Sequence, residues 1–155
     1  MYKRQEVVSD MLKFLKKKGL KIDSACCVYP TAFNLKINDI KTAYKKLINK
    51  FKFVFAASKF DKMPQRGFYV NKKGNIKMIM PNFFEYRTQD LKSVYFDAGQ
   101  FYWAKKNDWI KNKLKFDKYC TTVCIPSSRA QDIDTLEDWK KAKEIFKRLG
   151  RKKNG

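Results

Sequence analysis

Two carboxylates near the carboxyl end of the chain are the residues best suited to chemistry. Asp132 and Asp134 stand two positions apart in the run QDIDTLEDW, residues 131–139. At the end of a strand, such residues project to the same side, and their oxygens could hold a divalent cation with bound phosphates. The structural alternative is that Asp134 and Glu137 form a helix N-cap with a capping-box partner, while Asp132 is a solvated loop residue. Because Asp-x-Asp is common, spacing alone favours this structural interpretation.

Hydrogen-bonding side chains set among aromatic residues form a second candidate region. RTQDL occupies residues 87–91, and DAGQFYW occupies residues 97–103. A pocket for a polar, carboxylated ligand would use such groups, with Arg87 pairing the carboxylate. Gly99 indicates a tight backbone or a close ligand approach. A buried polar loop that packs against a hairpin explains the same pattern, and the local sequence leaves both interpretations open.

Two short loops complete the candidate regions. MPQR, residues 63–66, follows one predicted strand and precedes a predicted hairpin. It is either a loop that faces substrate or a turn anchored by an arginine. YPTAF, residues 29–33, lies at the carboxyl end of the first predicted strand. Ligands of open α/β sheets bind at that edge, which raises the functional weight of this loop.

The residue types present exclude several classes of site. The chain has 155 residues and no histidine, which excludes Ser-His-Asp triads and histidine-based zinc sites. Its four cysteines are expected to be buried free thiols of a reducing cytosol, and a zinc site built from all four thiolates is the alternative. The four cysteines are Cys26, Cys27, Cys120 and Cys124. No apolar run approaches the ~20 residues of a membrane span, and no secretory signal is recognisable.

The net charge of +21 invites a nucleic-acid interpretation, which the choice of basic residues weakens. Only six of the 36 basic residues are arginine, whereas nucleic-acid binders use arginine for bidentate contacts. The lysines are spread through every segment. We therefore expect a lysine-biased composition with no nucleic-acid or membrane partner. A basic nucleic-acid-binding module remains the alternative of another class, as does a non-catalytic α/β domain.

The elements that position these residues alternate between helices and strands. Apolar periodicity and turn residues predict a single α/β domain over 1–155 with a mainly parallel sheet, crossover helices and one hairpin. The last helix carries an apolar face of Trp139, Ala142, Phe146 and Leu149. The predicted helices lie near 7–18, 37–48, 108–113 and 139–149, and the predicted strands near 25–29, 53–57, 67–70, 76–80, 100–104 and 119–125.

Five segments, in this order, resemble one protein family. The segments are YPTAF at 29–33, FD at 60–61 with PQR at 64–66, RTQDL at 87–91, DAGQFYW at 97–103 and DIDTLEDW at 132–139. Together they are similar to the acylneuraminate cytidylyltransferases, the CMP-sugar synthetases. The QFYW form with PQR upstream is most similar to the branch that activates pseudaminic acid. The resemblance runs from the first predicted helix to Leu149.

The resemblance implies a Rossmann-like nucleotide-sugar transferase fold and a Mg²⁺-dependent transfer from CTP to a nonulosonic acid, in the cytoplasm. The sugar is pseudaminate, with sialate or legionaminate as alternatives. The hairpin would exchange contacts across a homodimer. By resemblance, Asp132 and Asp134 are catalytic and hold the metal, and Gln100 and Tyr102 line the sugar pocket. Weaker candidates for the sugar pocket are Gln65, Arg66 and Arg87. The residues expected at the nucleotide or sugar edge are Tyr29, Thr31 and Ala32.

One departure from the family concerns the start of the chain. The family begins with a strand and a loop rich in Gly, Ser, Lys and Arg that cradles the triphosphate, and nothing here matches it. Residues 1–5 resemble a translated sequencing adaptor, and residues 151–155 form a charged tail expected to fray. We therefore expect an N-terminally truncated chain that has little or no activity alone and marginal stability.

Overall fold

A four-stranded mixed sheet forms the centre of the protein, with the strand order β1-β5-β2-β6. The computed structural model describes residues 4–111 and 116–151. A separate two-stranded hairpin pairs β3 with β4. The strands are β1 Ser24–Val28, β2 Phe53–Lys59, β3 Phe68–Val70, β4 Ile76–Met78, β5 Tyr95–Lys105 and β6 Cys120–Ile125, and the helices are α1 Arg4–Lys17, α2 Ile37–Asn49, α3 Lys106–Ile110 and α4 Leu136–Arg151.

Strand β5 makes the sheet mixed. It runs antiparallel to both β1 and β2, between which it lies, while β2 pairs with β6 in parallel. The prediction of a mixed α/β fold is confirmed, but the prediction of mainly parallel pairing is wrong for the described sheet. Strands β1 and β2 run in the same direction, as the crossover through α2 predicts, yet the insertion of β5 prevents them from pairing directly.

Helices cover both faces of the sheet. Ala43 and Leu47 of α2 pack on one face against Val54 and Phe101. Leu12 of α1 and Trp109 of α3 pack on the other face, where Tyr102 lies. The central strand β2 is buried along residues 53–58, which explains its continuous apolar run.

The predicted hairpin is confirmed, and its turn is built by local hydrogen bonds. The side-chain oxygen of Asn71 accepts the backbone N–H groups of Lys73, at 2.9 Å, and Asn75, at 3.0 Å. Gly74 has a φ of 81°, a conformation that glycine adopts without steric cost. Every residue of β3 is exposed, so this hairpin stands apart from the buried core.

The first turn of α4 differs from the predicted capping pattern by one residue. The Thr135 hydroxyl accepts the Asp138 N–H at 3.2 Å, and the Asp138 carboxylate accepts the Thr135 N–H at 3.1 Å. The Asp134–Glu137 capping prediction is therefore wrong, because the reciprocal cap falls on Thr135 and Asp138.

The apolar face predicted for α4 is only partly covered. Ala142 is buried, whereas Trp139 and Phe146 remain exposed. The side chain of Leu149 lies outside the described residues, as do Lys113 of the predicted third helix and residues 152–155 of the predicted tail. Within the described part of the chain, no helix is both long and apolar enough to cross a membrane.

Candidate active site

The candidate residues gather at one edge of the sheet. Strands β1, β2 and β6 end at this edge, and the antiparallel β5 begins there, since Ala57 pairs with Asp97 and Val28 pairs with Phe101. The loops that follow the three parallel-oriented strands therefore leave the sheet side by side. This is the position at which open α/β sheets bind ligands, as predicted for the 29–33 loop.

The two carboxylates of the 131–139 run lie in a loop, not at the end of a strand as predicted. Strand β6 ends at Ile125, and a short 3₁₀ turn at Ser127–Arg129 separates it from Asp132. Asp132 and Asp134 are both exposed, and the Asp132 Oδ1 atom accepts the backbone N–H of Ile133 at 2.9 Å. Ile133, between the two carboxylates, is partly buried, so the carboxylates remain in solvent while the apolar side chain between them turns inward.

Gly99 allows this loop to approach β5 closely. Its φ is +62°, and a Cβ atom at this position would lie 3.2 Å from Asp132 Oδ2. The backbone N–H of Gly99 donates to Asp97 Oδ1 at 3.0 Å. The predicted tight backbone is thus present, and the group that approaches it in the structure is the Asp132 carboxylate.

Gln100 is a fully buried amide that uses only part of its hydrogen-bonding capacity. Its Nε2 atom donates to the backbone carbonyl of Arg129, in the same loop as Asp132. Its Oε1 atom has no hydrogen-bond partner among the described residues. A buried carbonyl oxygen without a partner is costly, so this atom is suited to accept a hydrogen bond from a bound ligand.

Tyr102 lies beside the same edge but points into the core below α1. Its hydroxyl donates to the Asp97 carboxylate, with distances of 2.8 and 2.9 Å to the two oxygens. Burial, followed by the nearby Asp97 charge, raises the pKa of Tyr102, so the phenol stays protonated and remains a donor. Asp97 was not among the predicted site residues, although it stands in the DAGQFYW motif that contains them.

The 29–33 loop is hydrogen-bonded to Gln100 and lines a cavity together with α4. The Tyr29 backbone N–H donates to the Gln100 carbonyl at 2.9 Å, and Ala32 N–H donates to the Tyr29 carbonyl at 3.0 Å. Thr31 borders an apolar cavity of about 300 Å³ that Ile133, between the two loop carboxylates, also lines. A larger cavity of about 550 Å³ lies near Ser24 and Lys105, at the opposite end of the β1–β5 pair, away from every predicted site residue.

The residue that anchors the 63–66 turn is Gln65, whereas the sequence predicted an arginine anchor. The Gln65 side chain is buried, and its Nε2 atom donates to the Lys92 carbonyl at 2.8 Å. Its Oε1 atom, like that of Gln100, has no partner among the described residues. Arg66 is exposed, so the prediction of an arginine-anchored turn is wrong.

Arg87 lies on an exposed segment. Its Nε atom pairs with Asp90 at 2.8 Å, and both side chains are largely in solvent. The alternative of a buried polar loop is therefore wrong for residues 87–90, whereas Leu91 and, in the second half of the region, Ala98 and Gln100 are buried. The contacts described for Arg66 and Arg87 do not reach Gln100, Tyr102 or Asp132, so the structure leaves both arginines at the periphery.

The cysteines do not converge. Cys26 and Cys27 lie on β1, whereas Cys120 and Cys124 lie on β6, at the other edge of the sheet. The four-thiolate zinc alternative is therefore wrong. All four thiols are free, but Cys124 is exposed and the other three are only partly buried, so the prediction of buried thiols is wrong for Cys124. Burial raises the pKa of Cys26 to about 12 and that of Cys120 to about 11.

The donor set at the loop fits a magnesium ion that shares its shell with phosphates. Asp132 and Asp134 offer exposed carboxylate oxygens. The described residues contain no group of three or more ligating side chains that would form a complete metal cage. Mg²⁺ commonly binds through one or two carboxylates together with water and substrate phosphates, so a pair of carboxylates is sufficient.

An ion pair below the loop was missed by the sequence reasoning. Arg129 and Asp39, 90 residues apart, pair with side chains only 16% and 12% exposed. One sequence feature could have identified Arg129: it is one of only six arginines in a chain that otherwise uses lysine. A buried bidentate pairing is the role for which lysine cannot replace arginine.

Comparison with known proteins identifies relatives over most of the chain. No family model matches the sequence. The chain is 35% and 34% identical to the pseudaminic acid cytidylyltransferases of two Campylobacter jejuni strains, over 141 and 142 residues. The chain is therefore related to the cytidylyltransferases. These alignments cover 90% and 91% of the chain but 61% of each relative, so the chain spans about three fifths of the relatives' length.

A third relative combines two named activities. The Helicobacter pylori protein is named pseudaminic acid cytidylyltransferase and UDP-2,4-diacetamido-2,4,6-trideoxy-beta-L-altropyranose hydrolase. It is 31% identical over 114 residues, which cover 72% of this chain and 22% of that protein. Three relatives named as cytidylyltransferases thus agree with the family resemblance drawn from the five sequence segments.

Proposed function

We propose that this chain forms the sugar- and metal-binding part of an enzyme that activates pseudaminic acid with CTP. The products would be CMP-pseudaminate and pyrophosphate. The observation that carries the proposal is the similarity of nine tenths of the chain to proteins named pseudaminic acid cytidylyltransferase. The geometry supports it, because the loop carboxylates and the unpaired Gln100 oxygen lie at the ligand-binding edge of the sheet.

In the proposed reaction, the anomeric hydroxyl of the sugar attacks the α-phosphorus of CTP, and pyrophosphate leaves. Asp132 and Asp134 would hold Mg²⁺, which when bound supplies charge neutralisation for the phosphates. The chain's own residues supply positioning. The buried Oε1 atom of Gln100 accepts a hydrogen bond from the sugar, and the Asp97–Tyr102 hydrogen bond fixes the strand from which Gln100 projects.

The remaining predicted residues take peripheral roles in this proposal. Tyr29, Thr31 and Ala32 form the wall beside Gln100, and Gln65 offers a second unpaired amide oxygen. Arg66 and Arg87 are exposed, so either guanidinium can turn towards the carboxylate of an arriving sugar at little cost.

The exposed hairpin supports a homodimer as part of the proposal. Phe68, Tyr69, Val70 and Ile76 present apolar side chains that are more than half exposed. Exposed apolar surface of this kind is typical of protein interfaces. We propose that two copies pair through this hairpin, and that the second subunit completes each pocket.

The isolated chain is expected to have little activity because its sequence contains no glycine-rich phosphate-binding loop. The test therefore uses two proteins: the 155-residue chain, and an extended chain that carries the coding sequence upstream of Glu6 in the source gene. Each is mixed with CTP, Mg²⁺ and pseudaminate, legionaminate or sialate, and pyrophosphate release and CMP-sugar formation are measured.

Product from the extended chain, fastest with pseudaminate, is the expected result. A faster reaction with sialate or legionaminate would correct the sugar but keep the enzyme class. Robust product from the 155-residue chain would overturn the expectation of inactivity. No product from the extended chain with any of the three sugars would overturn the proposed function.

A further inference from the structure

The Asp39–Arg129 ion pair joins two segments that lie 90 residues apart in the sequence. Asp39 lies in the first turn of α2, and Arg129 lies in the turn that follows β6. Arg129 Nη1 is 2.5 Å from Asp39 Oδ2, and Nη2 is 3.4 Å from Oδ1, so the guanidinium engages both carboxylate oxygens. Pairs with this geometry are stronger and more directional than single contacts.

Arg129 also binds β5 through its backbone. The Gln100 side chain donates from Nε2 to the Arg129 carbonyl oxygen. Three residues further along the loop, the Asp132 carboxylate lies against Gly99, next to Gln100. The Arg129 side chain thus holds the loop against α2. The Arg129 carbonyl orients the Gln100 amide, which in our proposal contacts the sugar.

Two further side-chain hydrogen bonds hold β6 to the rest of the fold, and both are accepted by residues of the strand itself. The Lys46 ammonium of α2 donates to the Thr122 carbonyl at 2.8 Å, and the Ser58 hydroxyl donates to the Ile125 carbonyl at 3.0 Å. Beyond Ile125, the hydrogen bonds of Arg129 and Ala130 N–H groups are local to the turn. The Asp39 contact therefore anchors a segment that β6 itself does not hold.

We propose that Asp39 and Arg129 are positioning residues for the site. Their buried ion pair fixes the turn at 127–129, and through it the orientation of the Gln100 amide and the place of the Asp132 carboxylate. The catalytic consequence rests on the proposed function. The positioning of the loop is a property of the fold and can be measured without turnover.

The test compares three variants of the extended chain with the unaltered protein. Asp39→Asn keeps the shape of the side chain and removes its charge, and Arg129→Lys keeps the charge and removes the planar fork. Lys46→Met is the matched control, because it breaks another α2–β6 contact that does not involve the loop. All are assayed well below their unfolding temperatures, so that each protein is folded, and Lys46→Met shows how much of any change comes from a loss of stability alone.

Three readouts separate positioning from general destabilisation. Hydrogen exchange of the backbone amides at 127–134 is expected to accelerate at least about tenfold in Asp39→Asn and Arg129→Lys, and not in Lys46→Met. Mn²⁺, as a probe for Mg²⁺, is expected to bind about tenfold more weakly, because supporting partners of metal ligands have effects of this size. The KM for the sugar is expected to rise in the same two variants, with Lys46→Met unchanged.

The outcomes distinguish this inference from the proposed function. If the unaltered extended chain forms no CMP-sugar, the proposed function fails, and exchange in the loop alone decides the positioning claim. If Asp39→Asn and Arg129→Lys match Lys46→Met in loop exchange and in Mn²⁺ affinity, the positioning claim is overturned, even where the enzyme is active.

Discussion

The central sheet and the β3–β4 hairpin have similar residue types but opposite environments. Phe101 and Trp109 are completely buried on the two faces of the sheet, whereas Tyr69 and Ile76 in the hairpin are about two thirds exposed. Both regions are rich in aromatic and β-branched residues. Because its side chains are buried, the sheet is a rigid scaffold for the candidate site. The apolar side chains of the hairpin are exposed and can contact another chain.

The largest expected effect contrasts one aromatic residue from each region. Phe101→Ala removes a fully buried ring and should lower the free energy of unfolding by about 3–5 kcal/mol. Tyr69→Ala removes an exposed ring and should change it by less than about 0.5 kcal/mol. Urea denaturation at a protein concentration low enough to keep the chain monomeric measures both values.

The same pair of variants tests the proposed dimer. Tyr69→Ala should weaken self-association in sedimentation experiments on the extended chain, because it removes apolar contact area from the proposed interface. Equal destabilisation by the two substitutions in the monomer would show that the hairpin is part of the core and would remove the contrast.

Two glycines with positive φ provide the next comparison. Gly99→Ala and Gly74→Ala both place a side chain in the left-handed region, with an expected cost of about 1 kcal/mol each. A Cβ at Gly99 also meets Asp132 at 3.2 Å, whereas a Cβ at Gly74 meets nothing within 4 Å. Only Gly99→Ala should therefore weaken Mn²⁺ binding, measured by calorimetric titration of the extended chain.

The cap of α4 should give an effect no larger than that of the glycines. Thr135→Ala removes the hydroxyl that accepts the Asp138 N–H and should lower the free energy of unfolding by about 1 kcal/mol. Glu137→Ala, which removes the partner of the predicted but incorrect cap, should change it by less than about 0.5 kcal/mol, because the Glu137–Lys141 pair is exposed. A larger loss of stability in thermal unfolding from the Glu137 substitution than from Thr135→Ala would show that Asp134 and Glu137 form the cap.

A pH dependence arising from the sheet gives a further contrast. The pKa of Cys26 is raised to about 12 by burial, so folding favours the neutral thiol. Its contribution to stability is complete below the unfolded value near 9 and is lost as the pH rises towards 12. Cys26→Ala should flatten the decline of the urea midpoint between pH 9 and 10.5, and an unchanged decline in this variant would contradict the prediction.

Local patterns in the sequence predicted the elements better than their arrangement. Apolar periodicity predicted α2, and the NKKGN turn predicted the hairpin, because both depend on residues close in the chain. The insertion of β5 between β1 and β2 depends on long-range pairing that no local pattern encodes. The same reason explains why the Asp39–Arg129 pair, 90 residues apart, was missed.

The candidate site was predictable in residue types but not in geometry. The family resemblance selected Asp132, Asp134 and Gln100, and the structure brings the loop of the first two against the strand of the third. It does not bring Arg66 or Arg87 there. Whether a long, exposed side chain turns towards a ligand depends on the ligand itself, which neither residue spacing nor burial in the free chain determines.

We propose that the loop after β6 carries the metal-binding carboxylates of a nucleotidyltransferase. The most direct measurement is the Mg²⁺ dependence of CMP-sugar formation by the extended chain carrying Asp132→Asn or Asp134→Asn, with Glu137→Gln as the control. Both aspartate variants should lose more than about 100-fold in kcat/KM, because several kcal/mol of charge stabilisation depend on the metal, while the control stays active. Full activity and an unchanged Mg²⁺ requirement in both aspartate variants would contradict the account.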